Sequence, residues 1–106
     1  MKPELSKTFD QRCYELLLQI PKGKVTTYRE IAHALGTKAY RAVGQAMNRN
    51  PNLVEVPCHR VVKSNGEVGA YVTGSCRKLE LLRQERVDVS EIGRIDLSKF
   101  LYSFSD

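Results

Sequence analysis

A cysteine, a histidine and an arginine stand side by side at Cys58-His59-Arg60, inside the run Asn50-Pro51-Asn52-Leu53-Val54-Glu55-Val56-Pro57-Cys58-His59-Arg60-Val61-Val62. A thiolate is the most nucleophilic common side chain, and a neighbouring imidazole or cation raises its population at neutral pH. The chemistry open to this run is therefore covalent attack by sulfur. Adjacent residues of a regular strand point to opposite faces, so Cys58 and His59 share a site only if the chain turns here or a water bridges them, and Pro57 supplies a break. Other cysteine-histidine chemistries fit worse. A phosphatase loop needs an arginine where Ser64 stands, and the Cys-x-x-Cys pair of a zinc site is absent, so no metal is expected. The plain alternative is a structural cysteine buried in a strand.

A chain of 106 residues with 42% hydrophobic and 27% charged side chains suits one domain with one core. No apolar run approaches membrane-spanning length, and Met1 to Lys7 holds no secretion signal, so a cytoplasmic location without membrane association is expected. Cys13, Cys58 and Cys76 are an odd number without framework spacing, which also fits a reducing compartment. The net charge of +5 is uneven. Residues 22 to 63 hold Lys22, Lys24, Arg29, Lys38, Arg41, Arg49, Arg60 and Lys63 against Glu30 and Glu55, a local charge of +6. Such density suits a polyanion, of which the phosphate backbone of nucleic acid is the commonest, although charge clusters also arise as solvated faces.

The elements that must position the thiol follow from spacing. Phe9, Cys13, Leu16, Leu17 and Ile20 predict an amphipathic helix over 6 to 20, ended by Pro21-Lys22-Gly23. Lys24-Val25-Thr26 is short and β-prone, and Thr27 can cap a second helix over Tyr28 to Leu35. Gly36-Thr37 breaks it, and Lys38 to Arg49 reads as a third helix with Ala39, Val43, Ala46 and Met47 on one face. Residues 25–49 thus suggest a helix-turn-helix, for which two core helices of a small bundle are the alternative. Residues 50–62 form the loop that carries Cys58. The Asn65-Gly66 step between Arg60-Lys63 and Val68-Tyr71 predicts a hairpin over 60–71, the wing of a winged helix. A fourth helix runs from Cys76 to Glu85, with Leu79, Leu81 and Leu82 inside and several cations outside. The extension 87–106 reads as a short strand at Val87 and Val89, then a short helix capped by Asp96 or Ser98 and carrying Phe100, Leu101 and Phe104. The expected fold is mainly α with a small β-hairpin.

Pro57-Cys58-His59-Arg60-Val61-Val62, together with Arg41-Ala42-Val43-Gly44, Asn50-Pro51 and the downstream glycine-tyrosine hairpin, resembles the O6-alkylguanine-DNA alkyltransferases, also called methylated-DNA–protein-cysteine methyltransferases. The resemblance runs from about Phe9 to Glu85, the family's DNA-binding and active-site domain, and the family's separate N-terminal domain has no counterpart in it. It implies a winged helix-turn-helix alkyltransferase domain acting as a monomer, without cofactor, on double-stranded DNA that carries O6-alkylguanine. By resemblance Cys58 accepts the alkyl group irreversibly, His59 is its base through a water, Glu85 orients the imidazole, and Asn50 ties the helix-turn-helix to the active-site loop.

The same resemblance makes Tyr28 the residue that crowds the phosphate and donates to the guanine O6, and Arg41 the finger that enters the stack when the nucleotide rotates out. Extrusion itself follows from geometry, because sulfur cannot approach the O6-alkyl carbon in line while the base is stacked. The small residues Ala39, Ala42 and Gly44 would let the third helix lie close in the minor groove, with Arg49 and Arg60 adding charge. Tyr28, Val68, Gly69, Tyr71 and Thr73 would line the base pocket. Ala70, Val72, Thr73 and Ser75 depart from residues frequent in the family, which bears on the size of adduct accepted. Two other functions compete: a non-enzymatic lesion-binding protein of the alkyltransferase-like kind, which Cys58 argues against, and a winged-helix regulator that reads undamaged DNA.

Overall fold

Thr8 opens the first helix by exchanging hydrogen bonds with Gln11: its hydroxyl accepts the Gln11 N–H, and the Gln11 side chain accepts the Thr8 N–H. In the computed structural model, which describes residues 8–69 and 74–104, this capping box starts α1 (Phe9–Leu17). Leu18 to Ile20 follow in a tighter turn and not in the helix, with Ile20 N–H donating to Leu17 C=O; residues 6 and 7 of the expected helix lie outside the described ones. After the Pro21-Gly23 turn comes β1 (Thr26–Thr27), and the Thr27 hydroxyl accepts from Glu30 N–H to cap α2 (Tyr28–Ala34) as the sequence predicts. Gly36, at φ +73°, lets Thr37 N–H reach back to Ala32 C=O and Gly36 N–H to His33 C=O, a Schellman ending that turns the chain toward α3 (Tyr40–Asn48). Ala39 stands exposed at the N-cap of α3, outside the apolar face it was expected to join.

A 3-10 turn at Cys58–Arg60 leads straight into β2 (Val61–Val62), which pairs in parallel with β1, Thr26 against Val61 and Thr27 against Val62. This pairing corrects the expected wing. The Asn65-Gly66 turn forms, closed by Lys63 N–H to Glu67 C=O, but β2 gives its ladder to β1. Beyond the turn, Glu67 bridges to Arg94 and Val68 N–H donates to Gly93 C=O, while Ala70 and Tyr71 lie outside the described residues. α4 (Ser75–Gln84) and the short α5 (Leu97–Phe100), capped by Asp96 through Ser98 N–H, complete the order. Val87 and Val89 form no strand. Strand character instead appears at Leu101, which bridges to Val25: Val25 N–H donates to Phe100 C=O, and its C=O accepts from Tyr102 N–H. Among the described residues no helix is long and apolar enough to cross a membrane.

Strand alternation divides the core around this small sheet. Val61 packs with Cys13, Leu17, Ile20, Ile31, Val43, Met47 and Cys58 from α1 to α3 and the 3-10 turn. Val62, one residue on, packs with Val25 beside β1, Val68 after the Asn65-Gly66 turn, Leu82 of α4, and Val87, Ile95 and Phe100 of the C-terminal segment. Both valines are fully buried, worth roughly 1.5–3 kcal/mol each relative to exposure, so the strand leaving Cys58-His59-Arg60 is pinned from two sides.

Candidate active site

The chain does turn at Cys58, as a shared site with His59 requires. Three residues per turn swing Cys58, His59 and Arg60 to successive directions about one axis, where a strand would oppose neighbours. Arg60 N–H donates to Pro57 C=O and Cys58 N–H to Val56 C=O, so the turn is closed on its own approach. All three side chains are buried, Cys58 at 2% exposure and His59 at 0%. Asn50, just past the C-cap of α3, fixes that approach: its Nδ2 donates to Val56 C=O at 2.7 Å and its Oδ1 accepts from Asn52 N–H at 2.9 Å. One amide thus ties α3 to the loop whose exposed tip holds Val54 at φ +74°, a conformation that a β-branched residue adopts only when its surroundings impose it.

Glu85 is the C-cap of α4 and is held there by a second Schellman ending, Val87 N–H to Leu82 C=O and Arg86 N–H to Arg83 C=O, with Arg86 at φ +68°. Its carboxylate reaches the turn from the far side. Glu85 Oε2 lies 2.9 Å from His59 Nε2, and Arg60 grips both oxygens, Nε to Oε1 at 2.8 Å and Nη2 to Oε2 at 2.7 Å. Arg60 Nη1 also donates to Ile20 C=O at 2.6 Å. Burial pushes the Glu85 carboxyl up, but the bonds from Arg60 and His59 outweigh it and hold it below the ordinary value. Burial pushes His59 down; Glu85 pulls it up, Arg60 and Lys78 push it down, and the balance is a lowered pKa. A neutral imidazole oriented by a carboxylate is a base able to take a thiol proton.

Lys78, which the sequence does not single out among the cations of the fourth helix, is buried. It is 1% exposed, with its Nζ 5.9 Å from the centre of the Tyr28 ring. Burial drives its ammonium down to about 8, against the pull of Cys58, with Lys63 adding to the descent. A signal was present: Lys78, Leu81, Leu82 and Glu85 recur at three and four residues, on one stripe of α4. Tyr28, whose hydroxyl is raised by burial and by the charge of Cys58, begins α2 and lines an open cavity of about 470 Å³ with Arg29, Tyr40, Lys63, Ser64 and Asn65.

His59 meets Glu85 directly, Cys58 precedes His59 in the same turn, and Asn50 holds the approach to that turn, while the DNA-binding and pocket residues divide. Arg41 is exposed on α3, Ala42 is half-buried there, and a side chain added at Gly44 would meet open space. Arg49 is exposed but engaged, its guanidinium paired twice with Asp10 at 2.7 and 2.9 Å. Arg60 is not on a surface at all: a buried guanidinium needs a counter-charge, and Glu85 draws it inward, so its placement as a DNA contact is corrected. Val68 is a core residue of the second cluster, and it lines a cavity together with Gly69, which at φ +80° lies beside the Lys63 and Lys78 side chains. Tyr71 and Thr73 lie outside the described residues.

Comparison with known proteins places the chain in a family. Residues 8–87 match the family described as 6-O-methylguanine DNA methyltransferase, DNA binding domain. The methylated-DNA–protein-cysteine methyltransferase of Methanosarcina barkeri is 45% identical over 78 residues, 73% of this chain and 49% of its own length. Among solved structures, OGT of Mycobacterium tuberculosis in complex with DNA aligns at TM-score 0.73 and 43% identity, covering 76% of this chain and 51% of that one. ATL of S. pombe in complex with DNA aligns at TM-score 0.79 and 31% identity, covering 97% of this chain and 99% of that one. The chain spans about a third to a half of the length of the curated relatives that it matches. With Pro57-Cys58-His59-Arg60 folded into one turn and Glu85 closed onto it, this chain belongs to the 6-O-methylguanine DNA methyltransferase family, of which it carries the DNA-binding domain.

Proposed function

We propose that this chain repairs DNA by transferring an alkyl group, chiefly methyl, from O6-alkylguanine in duplex DNA to Cys58, once per molecule. The observation that carries the reading is the closed set Cys58, His59 and Glu85, in which a buried thiol is followed directly by an imidazole whose Nε2 is held 2.9 Å from a carboxylate. We further take the chain as the counterpart of the family's C-terminal active-site domain. A reducing compartment such as the cytoplasm would keep its thiols available.

The steps balance without a cofactor. His59 takes the Cys58 proton, through a water if the two atoms do not meet; the sulfur attacks the alkyl carbon, an S–C bond forms and the C–O6 bond breaks. The guanine anion that leaves is protonated, with the Tyr28 hydroxyl as the donor at the pocket, and the proton taken by His59 returns to the tyrosine through solvent. The product is a thioether, and a thioether offers water no activated leaving group, so the sulfur is not regenerated. Lys78 adds a buried positive charge that interacts with Cys58. Duplex DNA reaches the site through nucleotide extrusion, with α3 in the minor groove and Arg41 entering the stack.

Incubation with a duplex oligonucleotide carrying O6-methylguanine, followed by intact-protein and peptide mass measurement, tests this. The expected gain is one methyl group replacing one proton, mapping to Cys58, with a plateau at one per chain and no transfer in Cys58→Ser. Retained lesion binding with no mass gain would leave a lesion-binding protein instead. Methylation at Cys13 or Cys76 would overturn the assignment.

A further inference from the structure

In the transfer step Glu85 acts only through its contact with His59, yet that carboxylate is shared. Both of its oxygens accept from Arg60, and the oxygen that meets His59 Nε2 is also the one that meets Arg60 Nη2. The guanidinium is itself anchored, because Nη1 donates to the Ile20 carbonyl in the turn that ends α1. A planar fork on a planar carboxylate fixes the rotation of the acid as well as its position. Without that grip, Glu85 would sit on a helix C-cap with a rotatable stem and would present either oxygen to the imidazole.

We propose that Arg60 is a positioning residue for the transfer reaction: it locks Glu85 so that one fixed oxygen meets His59 Nε2, and it offsets the carboxylate's charge so that His59 remains a neutral base.

Two consequences follow, both resting on the alkyl-transfer reading. The first is geometric. A carboxylate held in one orientation selects the tautomer with the proton on Nε2, which leaves Nδ1 as the basic nitrogen. The second is electrostatic. His59 faces Glu85 from the C-cap of α4, Arg60 from its own turn and Lys78 from the body of α4, and Lys78 in turn feels the charge of Cys58. A bare carboxylate beside the imidazole would keep it protonated into the neutral range, where it cannot accept a proton. Paired with Arg60, the same carboxylate orients the ring without charging it.

NMR titration of the imidazoles, with the transfer rate measured over the same pH range, tests the proposal. The chain holds two histidines, His33 and His59, so a His33→Gln background leaves one signal. In Arg60→Met the His59 midpoint should rise by about one pH unit, and the acid limb of the transfer rate should move up with it. In Arg60→Lys, which keeps the charge but not the two-pronged grip, the midpoint should stay near wild type while transfer slows about tenfold or more. A merely structural arginine would lower the rate at every pH and move neither midpoint nor limb. An unshifted His59 midpoint in Arg60→Met overturns the proposal. Should that variant not fold, Glu85→Gln decides: with Arg60 left unopposed the His59 midpoint should fall, and an unchanged midpoint overturns the proposal equally. The titration needs no methyl transfer, so an inactive wild type would remove the functional reading while the role of Arg60 is still decided.

Discussion

Replacing Lys78 by methionine should make the protein more stable and less able to react. Lys78 is an ammonium group at 1% exposure whose pKa burial brings from the ordinary 10.5 to about 8. Every tenfold loss of proton affinity corresponds to about 1.4 kcal/mol, so the folded state carries a cost of about 3 kcal/mol for holding this proton at pH 7. The sign follows from proton counting. Between pH 8 and 10.5 the unfolded chain keeps the proton and the folded one has released it, so stability rises with pH across that window. The cost is full below pH 8 and gone above 10.5. Methionine matches the lysine stem in length and has no charge to desolvate; replacing a buried ion by an apolar residue of similar volume commonly stabilises by about 1–4 kcal/mol, a range that includes this cost. Urea unfolding measures it: with a slope of roughly 1.5 kcal/mol per molar, the midpoint of Lys78→Met should rise by about 1–2 M at pH 7 and by little at pH 10.5. Transfer from O6-methylguanine should slow at the same time, because the cation near Cys58 and Tyr28 is lost. A variant less stable than wild type at pH 7, or a gain that does not shrink as pH rises, would refute the reasoning.

Three further outcomes follow from positions already described. Gly44→Ala adds a methyl that meets open space in the middle of α3, so thermal unfolding should show a gain of about 1 kcal/mol; if α3 lies close on DNA, duplex affinity in a fluorescence titration should nonetheless fall. Arg41→Ala, at an exposed position, should leave stability within about 0.5 kcal/mol of wild type and slow transfer from duplex DNA about tenfold or more relative to the free base, because it acts on extrusion. Gly66→Ala places a side chain 2.5 Å from the Ile95 carbonyl oxygen at φ +90°, so it should cost about 2 kcal/mol or more in denaturant unfolding.

The chemistry of this chain was more legible in its sequence than its strand pairing was. The Thr27 cap is a local signal and Cys58-His59 a local pair, whereas Glu85 and Asn50 were marked only by the family resemblance; Glu85 is found against His59, and Asn50 against the loop before Cys58. Arg60 was misplaced and Lys78 was missed for one shared reason: a charge on its own reads as solvated, and only the fold shows that Glu85 meets Arg60 inside the protein and that the Lys78 stripe of α4 faces inward. The strands carried too little pattern to read. Two residues each at Thr26–Thr27 and Val61–Val62 show no alternation, and their partners are set by packing between the two clusters. The Asn65-Gly66 turn was legible, but a turn does not say which strands it joins, and the segment from Gly93 to Ile95 pairs with Gly66 to Val68.

The bond from the Thr26 hydroxyl to Tyr102 C=O joins residues 76 apart in sequence, and that separation has a meaning in time. Helix contacts in α1, α2 and α3 close over a few residues, whereas the frame around the 3-10 turn waits for a long loop to shut. On a ribosome adding about 5–20 residues per second, about 4–15 s pass between the synthesis of Thr26 and that of Tyr102. Tyr102 and Phe104 pack against the cluster that holds Cys58, and Glu85 too is made after it. For those seconds the nascent chain carries Cys58 without the C-terminal residues that complete its cluster.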